Sequence, residues 1–517
     1  MKKTIQIYDR GKKVDKVINY IPVRYIFAII LTILETVLCV ALTVGFTIYI
    51  PYFYIAAMLT HVVVIISIIC SNDNPDYKVP WLLFVMLLPV IGFMLYFLFY
   101  TRKLNEKYIK RINHVSNSLD YDDSDNFKLI EDELVKSEAK ILTKIANTHL
   151  YHNTKLKYFS IGEDFMESLL LDLKNAKEFI FFEFFIVEEG VFWNSILNIL
   201  KEKASAGLTI KVTWDDIGCM STLPGNYSKI LKNYGIDAVP YSRLKGQADN
   251  EFNNRNHRKI LVIDGIIGYT GGINIADEYI NKIVRFGHWK DMGIRLEGDS
   301  VNELTKLFLT DFYTNKKDVE DNLKRYYKNY NLLTDGFIIP FGDGPKPIYN
   351  DNVGKIVIMN MLNHAKKYVY ITSPYLVIDS ELTNTIKNTA LRGVNVKIIL
   401  PHIPDKKLVF DMARSAYDLL MKSGVEIYEY EPGFVHGKLY ISDDKIGMIG
   451  TINLDYRSLT HHFENGVWIY NDNVIIDMKN DYINTLKKCI FMNDEKLKVN
   501  IFKKIIRSIV KIFSPLL

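Results

Sequence analysis

The fold is decided by the stretch His257-Arg258-Lys259-Ile260-Leu261-Val262-Ile263-Asp264, whose pattern returns at His436-Gly437-Lys438-Leu439-Tyr440-Ile441-Ser442-Asp443. Both stretches read His-x-Lys-x4-Asp. Further downstream, the same spacing relates two glycines and an asparagine of each copy: Gly268, Gly271 and Asn274, then Gly447, Gly450 and Asn453. Chance would not keep this register, so the chain contains an internal duplication. Two equivalent half-sites predict one shared active centre.

Each copy predicts a strand followed by a tight turn. Residues two apart on a strand share a face, so His257 and Lys259 point the same way. The Asp-Gly pair that follows is a hairpin signal, and folding about it places Gly272 opposite His257. Asp264 lies roughly 23 Å along such a strand from His257, so we expect Asp264 and its counterpart Asp443 to stabilise turns. The glycines would let backbone approach a bound group closely.

The repeated side chains predict phosphoryl chemistry. Two ammonium groups and two amides suit the free oxygens of a phosphodiester and its five-coordinate transition state, without a metal or other cofactor. One imidazole must be neutral to attack phosphorus and the other protonated to release the alkoxide, which a reference pKa of about 6.5 makes accessible. The candidate catalytic set is the motif itself: His257, Lys259, Asp264, His436, Lys438 and Asp443.

Further polar residues complete this hypothesis. Each histidine needs a carboxylate that fixes its tautomer. Asp291 follows His257 in the first copy and Glu464 follows His436 in the second, so both are candidate orienting residues. The candidate phosphate-binding residues are Lys259, Lys438, Asn274 and Asn453. Three other polar residues have no assigned role, namely His461 and His462 beside Glu464, and Glu183 at a strand end.

Apolar strands alternate with amphipathic helices around both motifs, which predicts an α/β fold of two related lobes packed about a shared site. Three long apolar stretches precede them, from about 25 to 48, 52 to 70 and 80 to 100, and each approaches the length of a transmembrane helix. The predicted order is a basic tail at 1–24, membrane segments at 25–100, a linker and helix at 101–155, the lobes at 156–335 and 336–490, and a basic amphipathic helix at 491–517.

The motif residues resemble those of the phospholipase D superfamily. That resemblance implies a phosphohistidine intermediate, with His257 as nucleophile and His436 as general acid and base; the residues alone leave the two roles open. The segment Asn74-Pro75-Asp76-Tyr77-Lys78-Val79-Pro80-Trp81 and the C-terminal segment resemble bacterial cardiolipin synthases. The resemblance therefore implies transfer of a phosphatidyl group from one phosphatidylglycerol to another, with membrane lipid as partner and no nucleic acid.

Two alternatives are kept beside this hypothesis. One is a membrane-bound phospholipase D or nuclease that uses water as acceptor, and the other is a scaffold that binds anionic lipid without turnover. The chain has 517 residues and a net charge of +5, which favours anionic lipid only mildly. Its four cysteines have neither disulfide nor zinc spacing, which suits a reducing compartment. Basic residues flank the apolar region on both sides, so we expect the lobes on the cytoplasmic face of the membrane.

Overall fold

The computed structural model describes residues 2–9, 12–19, 23–49, 51–99, 104–121, 126–242, 254–316, 318–330, 332, 334–497, 502, 507 and 510–514. Several sequence predictions fall partly outside them. Residues 1, 10, 11 and 20–22 of the predicted basic tail and residues 122–125 of the predicted linker lie outside, as do residues 498–501, 503–506, 508, 509 and 515–517 of the C-terminal segment predicted to be helical.

The N-terminal region forms a hairpin and four helices. The hairpin pairs β1 (Lys2–Asp9) with β2 (Lys12–Asn19), and the helices are α1 (Val23–Tyr49), α2 (Pro51–Cys70), α3 (Pro75–Leu87) and α4 (Pro89–Phe99). The third apolar stretch is thus divided between two helices. Among the residues that the structure describes, the length and apolar character required to cross a bilayer are not met by any helix.

Helix α3 attaches the N-terminal helices to the second lobe. The Asp76 carboxylate accepts hydrogen bonds from the Ser380 N–H at 2.6 Å and from the Ser380 hydroxyl at 2.9 Å. Asn74 donates to the Asp379 carboxylate at 2.9 Å. On the other face of α3, Trp81 packs edge-on against Tyr96 with ring centroids 5.7 Å apart. The helices therefore hold a fixed position beside the lobe.

Two helices lead into the first lobe, namely α5 (Glu106–Ser118) and α6 (Glu133–Ala146). Both helices lie within the region 101–155, for which the sequence predicts a linker and a helix. The first lobe then contains β3 (Thr154–Phe159), α7 (Gly162–Asn175), β4 (Phe179–Phe184), α8 (Val191–Ser205), β5 (Thr209–Asp215), α9 (Tyr227–Lys232), β6 (Asp237–Tyr241), β7 (Lys259–Ile263), β8 (Ile267–Gly271), β9 (His288–Lys290), β10 (Gly293–Gly298) and α10 (Val301–Asn315).

The second lobe follows with β11 (Phe337–Asp343), α11 (Val353–His364), β12 (Tyr368–Thr372), β13 (Leu376–Val377), α12 (Ser380–Leu391), β14 (Asn395–Pro401), α13 (Lys407–Met421), β15 (Glu426–Tyr430), β16 (Gly433–Val435), β17 (Leu439–Ser442), β18 (Ile446–Gly450), β19 (Leu454–Asp455), α14 (Tyr456–Thr460), β20 (Glu464–Tyr470), α15 (Val474–Leu486), β21 (Cys489–Phe491) and α16 (Asp494–Leu497).

The two lobes repeat one sheet topology. The first sheet has the order β3-β10-β8-β7-β4-β5-β6 and the second has β11-β20-β18-β17-β12-β14-β15-β21. The inner strands correspond one to one, with parallel β4-β5-β6 and β12-β14-β15 beside antiparallel motif hairpins. The prediction of an α/β fold with two related lobes is confirmed.

An apolar layer between the sheets joins the lobes. The inward side chains of β7, such as Ile260 and Val262, belong to the same buried cluster as Leu439 and Ile441 of β17. Helix α10 lies in this layer, where its Phe308 ring stacks on a strand of the first sheet. Burial of such side chains contributes about 1.5–3 kcal/mol each relative to exposure, so the lobes form one packed body.

The turn of each motif hairpin is one residue longer than predicted. Ile263 pairs with Ile267, so extending the register places Gly272 opposite Arg258, and the predicted pairing with His257 is wrong. Asp264 adopts the left-handed conformation with φ 54°. Aspartate tolerates this conformation because its short polar side chain can bond locally. The extra turn residue shifts every later pair by one position.

Asp264 fixes its turn to the start of strand β4. Its carboxylate accepts hydrogen bonds from the N–H groups of Lys177, Glu178 and Phe179 at 2.7–2.9 Å. Asp443 repeats this arrangement with three N–H groups at the start of β12. Both aspartates lie at the end of the motif strand away from the histidine. The structure therefore gives them the turn contacts expected from the sequence and separates them from the chemistry.

Replacing Asp264 with alanine removes three hydrogen bonds to a charged acceptor. We expect the free energy of unfolding to fall by about 2 kcal/mol, measured by denaturant unfolding in detergent. Asp264→Asn should lose less, because an amide oxygen still accepts. An Asp264→Ala protein with unchanged stability and no activity would contradict the turn assignment.

Candidate active site

Each motif histidine lies at a backbone contact between the lobes. Strand β16 pairs in parallel with β9, and the His436 N–H donates to the Lys290 carbonyl at 2.7 Å. Asn256 forms a bridge with Phe463, and the His257 N–H donates to the Phe463 carbonyl at 2.8 Å. The residue after each of these carbonyls is a carboxylate. Backbone pairing thus brings a carboxylate of one lobe to the histidine of the other.

The two imidazoles are oriented by carboxylates of the opposite lobe. His257 Nδ1 lies 2.9 Å from Glu464 Oε2, and His436 Nδ1 lies 2.7 Å from Asp291 Oδ2. All four residues are buried. The structure therefore brings together the four residues that the sequence selected, but it pairs them across the lobes instead of within each copy. With Nδ1 facing a carboxylate, Nε2 is the second nitrogen of each ring, and His436 Nε2 lies 3.0 Å from Lys438 Nζ.

The two carboxylates are held by different neighbours. The Thr451 hydroxyl donates to Glu464 Oε2, and the Ser458 hydroxyl donates to Glu464 Oε1 at 2.7 Å. The position that corresponds to Thr451 in the first copy is Gly272, where a Cβ would lie only 2.1 Å from Asp291 Oδ1. Glu464, the longer carboxylate, thus accepts a hydrogen bond from Thr451. Asp291, the shorter one, occupies the space that a side chain at Gly272 would fill.

Gly271 and Gly450 allow the close approach of protein backbone and not of a bound group. A Cβ at Gly271 would lie 2.5 Å from the Met292 carbonyl, and one at Gly450 would lie 2.3 Å from the Asn465 carbonyl. These carbonyls belong to the residues that follow Asp291 and Glu464 in the chain. The sequence predicts that a ligand approaches these glycines. In the structure, the chain segment that follows each orienting carboxylate packs against them instead.

Burial sets the protonation of the paired groups. It is the largest influence on both rings, and it lowers the pKa of His257 to about 3 and of His436 to about 4. Burial alone would raise the pKa of Asp291 and Glu464, but the histidines and the other hydrogen-bond donors outweigh it and hold both pKa values below the ordinary range. Both rings are thus neutral near pH 7, with Nδ1–H donating and a lone pair on Nε2.

Lys259 and Lys438 are buried ammonium groups without a carboxylate partner. Both are 0% exposed, and among the described residues neither forms an ion pair with Asp or Glu. Lys259 Nζ donates to the His257 carbonyl at 2.7 Å, and Lys438 Nζ lies 2.9 Å from His436 Nδ1. Burial lowers the pKa of Lys259 to about 7 and of Lys438 to about 8. The charge of Lys438 adds to the lowering of the Lys259 pKa, so an anion bound close to both amines would stabilise their charged forms.

The two predicted asparagines differ in how their amides are used. Asn274 donates to the Tyr279 hydroxyl at 2.8 Å and accepts from the Ile186 N–H at 3.1 Å. Asn453 is buried, and its side-chain oxygen has no hydrogen-bond partner among the described residues. Both side chains line the same cavity as the histidines. The amide of Asn453 is therefore the freer of the two to contact a ligand.

A single cavity of about 420 Å³ is lined by both His257 and His436. Its walls are largely aromatic: the Phe185 ring lies 5.0 Å from the His257 ring, and the Tyr279 ring lies 5.5 Å from the His436 ring. The volume falls within the range of about 300–1,000 Å³ typical of small-molecule sites. The predicted half-sites therefore converge on one pocket.

His462 also lines this pocket, although the sequence assigned it no role. Its ring centroid lies 5.7 Å from that of His257, and its Nδ1 lies 3.7 Å from Glu464 Oε1. Neither ring nitrogen has a hydrogen-bond partner among the described residues. Glu183, by contrast, lies behind the site, where it accepts from the Asn256 amide in a buried network with Arg258.

His257, His462 and Glu464 each place one potential metal-binding atom within 4.8 Å of the others. Glu464 already accepts hydrogen bonds from the Thr451 and Ser458 hydroxyls and faces His257 Nδ1. Its oxygens are therefore occupied. The three other carboxylates that line the pocket, Glu278, Asp405 and Asp455, bond in the same way to Arg285, to the Tyr375 hydroxyl and to the Ser458 N–H.

Comparison with known proteins agrees with this geometry. The profile described as "Cardiolipin synthase, PLD-like domain" matches residues 358–486, and "Phospholipase_D-nuclease N-terminal" matches residues 61–99. A cardiolipin synthase of Halalkalibacterium halodurans is 30% identical over 90% of this chain and 94% of its own length. A cardiolipin synthase of Staphylococcus aureus is 33% identical over 78% and 84%, respectively.

An uncharacterized protein of Streptococcus mutans is 40% identical over 85% of this chain and 96% of its own length. The solved structure of phosphatidylserine synthase from Haemophilus influenzae shares the fold, with a TM-score of 0.55 at 15% identity, and covers 73% of this chain and 98% of that one. Long alignments to named relatives and the duplicated His-x-Lys motif, whose two histidines line one pocket, lead to the same assignment. The chain belongs to the cardiolipin synthase family of phospholipase D-type phosphatidyltransferases.

Proposed function

We propose that this protein transfers a phosphatidyl group from one phosphatidylglycerol to another through a phosphohistidine, giving cardiolipin and glycerol. One observation carries the proposal: two carboxylate-oriented imidazoles line one cavity, and beside each of them a buried lysine without a carboxylate partner places its Nζ at the carbonyl of that histidine. A phosphodiester supplies the missing anion, and its phosphorus is the electrophile that a neutral imidazole attacks. The similarity to two cardiolipin synthases supports the same reaction.

In the first half-reaction, His257 Nε2 forms a bond to phosphorus while the bond from phosphorus to the headgroup glycerol oxygen breaks. The departing oxygen takes a proton from His436 Nε2. The charge of the bound phosphodiester favours the protonated form of His436 and raises its pKa above the value set by burial. Lys259, Lys438 and Asn453 contact the phosphoryl oxygens, where charge increases in the transition state.

In the second half-reaction, a hydroxyl of the second phosphatidylglycerol gives its proton to His436 Nε2. Its oxygen then bonds to phosphorus while the bond between phosphorus and His257 breaks. The products are cardiolipin and the restored pair of histidines. Glu464 stabilises the positive charge that forms on the His257 ring, and Asp291 does so for His436.

The N-terminal helices support attachment to a membrane, and the basic residues on both sides of the apolar region support a cytoplasmic position of the lobes. Helices α1 and α2 expose many large apolar side chains, including Leu34 at 59% and Val63 at 64% exposure. A continuous apolar surface of this kind is covered by lipid or by another protein. Attachment brings the pocket to a supply of lipid acceptors and favours transfer over hydrolysis.

Purified protein in vesicles of phosphatidylglycerol should produce cardiolipin and glycerol in equal amounts, measured by mass spectrometry. His257→Ala should reduce both products on the order of 10⁴-fold or more, because the nucleophile is lost. Phosphatidic acid without cardiolipin would instead support hydrolysis with water as acceptor. Unchanged turnover in His257→Ala would exclude the phosphohistidine.

The crossed pairing predicts different defects in the two carboxylate variants. With a phosphatidyl donor whose leaving group is p-nitrophenolate, no proton is needed for release. Asp291→Asn should then form the phosphoenzyme at nearly the normal rate, although its turnover of phosphatidylglycerol falls by about 10²–10⁴-fold. Glu464→Gln should be slow with both donors. The reverse result would show that each carboxylate serves the histidine of its own copy.

The lysines predict an alkaline limit to activity. Their ammonium groups lose protons as pH rises through about 7 and 8, so kcat/KM should fall above this range because anion binding weakens. Lys259→Arg should move the limit from about 7 towards about 8, since arginine stays charged and Lys438 then loses its proton first. The measurement is kcat/KM against pH in neutral detergent. A limit that does not move in this variant would contradict the assignment.

A further inference from the structure

The proposed reaction sets a requirement that the reacting centre does not meet. The acceptor lipid has its own phosphodiester, whose charge enters the pocket when the acceptor hydroxyl approaches the phosphorus on His257. A charged phosphate removed from water without a counter-ion is strongly destabilised. A pocket for this acceptor therefore needs a cation outside the pair of motif lysines.

Most cations of the pocket wall are already engaged or lie in solvent. Arg255 is buried and bonds both oxygens of the Asp215 carboxylate. Arg285 is largely exposed and pairs with Glu278 at 2.7 Å. Lys406, which also lines the pocket, is exposed as well. Among the described residues, the cationic side chains lining the pocket outside the motifs are Arg255, Arg285, Lys406 and Arg457.

Arg457 differs from the others because its guanidinium is half-buried and makes no hydrogen bond or ion pair within the described part of the chain. Its backbone is fixed, since its carbonyl accepts the N–H groups of His461 and His462 at 2.9 Å. The nearby Asp455 uses an oxygen to accept the Ser458 N–H at 2.8 Å. Burial lowers the pKa of Arg457 more than the nearby Asp455 and Tyr77 raise it, so the loss of water outweighs the charges around the guanidinium.

We propose that the Arg457 guanidinium is the counter-ion for the phosphate of the acceptor lipid, so that one pocket holds two phosphodiesters. This rests on the proposed transfer between two phosphatidylglycerol molecules. A guanidinium suits the task because its planar N–H groups donate to two phosphate oxygens at once. Arg457 lies between Asn453 and His462 in the chain, and all three line the cavity.

The surroundings of Arg457 favour a lipid as the molecule that brings this phosphate. Tyr77 of α3 lies beside it, and the Tyr77 ring is 5.9 Å from that of His461. Helix α3 packs with α2, whose outer side chains such as Leu59 and Val63 are exposed and apolar. The acceptor phosphate site is thus on the side of the pocket nearest to the proposed membrane surface.

Two water-soluble acceptors separate the contribution of the proposed acceptor-phosphate site from that of the reacting centre. Glycerol and glycerophosphoglycerol offer the same hydroxyl chemistry, but only the second carries a phosphodiester. Full-length protein is given labelled phosphatidylglycerol, diluted in phosphatidylcholine vesicles, with each acceptor in turn. The wild type should prefer glycerophosphoglycerol by at least about tenfold in kcat/KM, and Arg457→Gln should abolish the preference while glycerol exchange stays within about threefold. Arg457→Lys should be intermediate, because it keeps charge and loses the bidentate geometry.

Arg285→Gln is the matched control, because it removes another arginine of the same pocket wall that is already paired. It should keep the preference for glycerophosphoglycerol. An unchanged preference in both Arg457 variants, or an equal loss of transfer to both acceptors, would overturn the proposed site. Wild-type protein that releases phosphatidic acid and exchanges no glycerol would overturn the proposed function, and the acceptor site with it.

Discussion

The crossed pairing of histidine and carboxylate is the constraint on which the rest of the site depends. Neither lobe contains a complete catalytic pair, because His257 is oriented by Glu464 and His436 by Asp291. The backbone contacts that bring each carboxylate into place are the same contacts that join the lobes. Lobe packing and catalytic geometry are therefore one property of this fold, and a change that separates the sheets disorganises both histidines together.

The electrostatics of the pocket follow from burial. Two neutral imidazoles lie at a cavity with apolar, aromatic and charged walls, two buried lysines lie beside them, and the buried carboxylates of Asp291 and Glu464 face the imidazoles. Such an arrangement is stable only because the carboxylates remain close by, and it gains most when an anion enters. The binding of substrate and the protonation of His436 are thus coupled through charge.

Much of this could be predicted from the sequence. The duplicated motif gave the two lobes, and the residue types gave the histidines, lysines and carboxylates that the structure brings together. The cross-lobe pairing could not be predicted, since proximity along the chain favours the carboxylate of the same copy. The positions of His462 beside His257 and of Arg457 on the pocket wall are visible only in three dimensions. The correspondence of Thr451 with Gly272 was present in the sequence, but its meaning depends on the lengths of the facing carboxylates.

The attachment of α3 through Asp76 and Ser380 has a consequence for how substrate arrives. In the proposed membrane attachment, a lobe held by α3 cannot move towards the bilayer, so the phosphorus of the proposed reaction stays at a constant height above the acyl chains. Each lipid that reacts as proposed must rise to that height, and every methylene lifted into water costs about 0.8 kcal/mol. Loosely packed or strongly curved bilayers, which release headgroups more easily, should therefore be the better substrates.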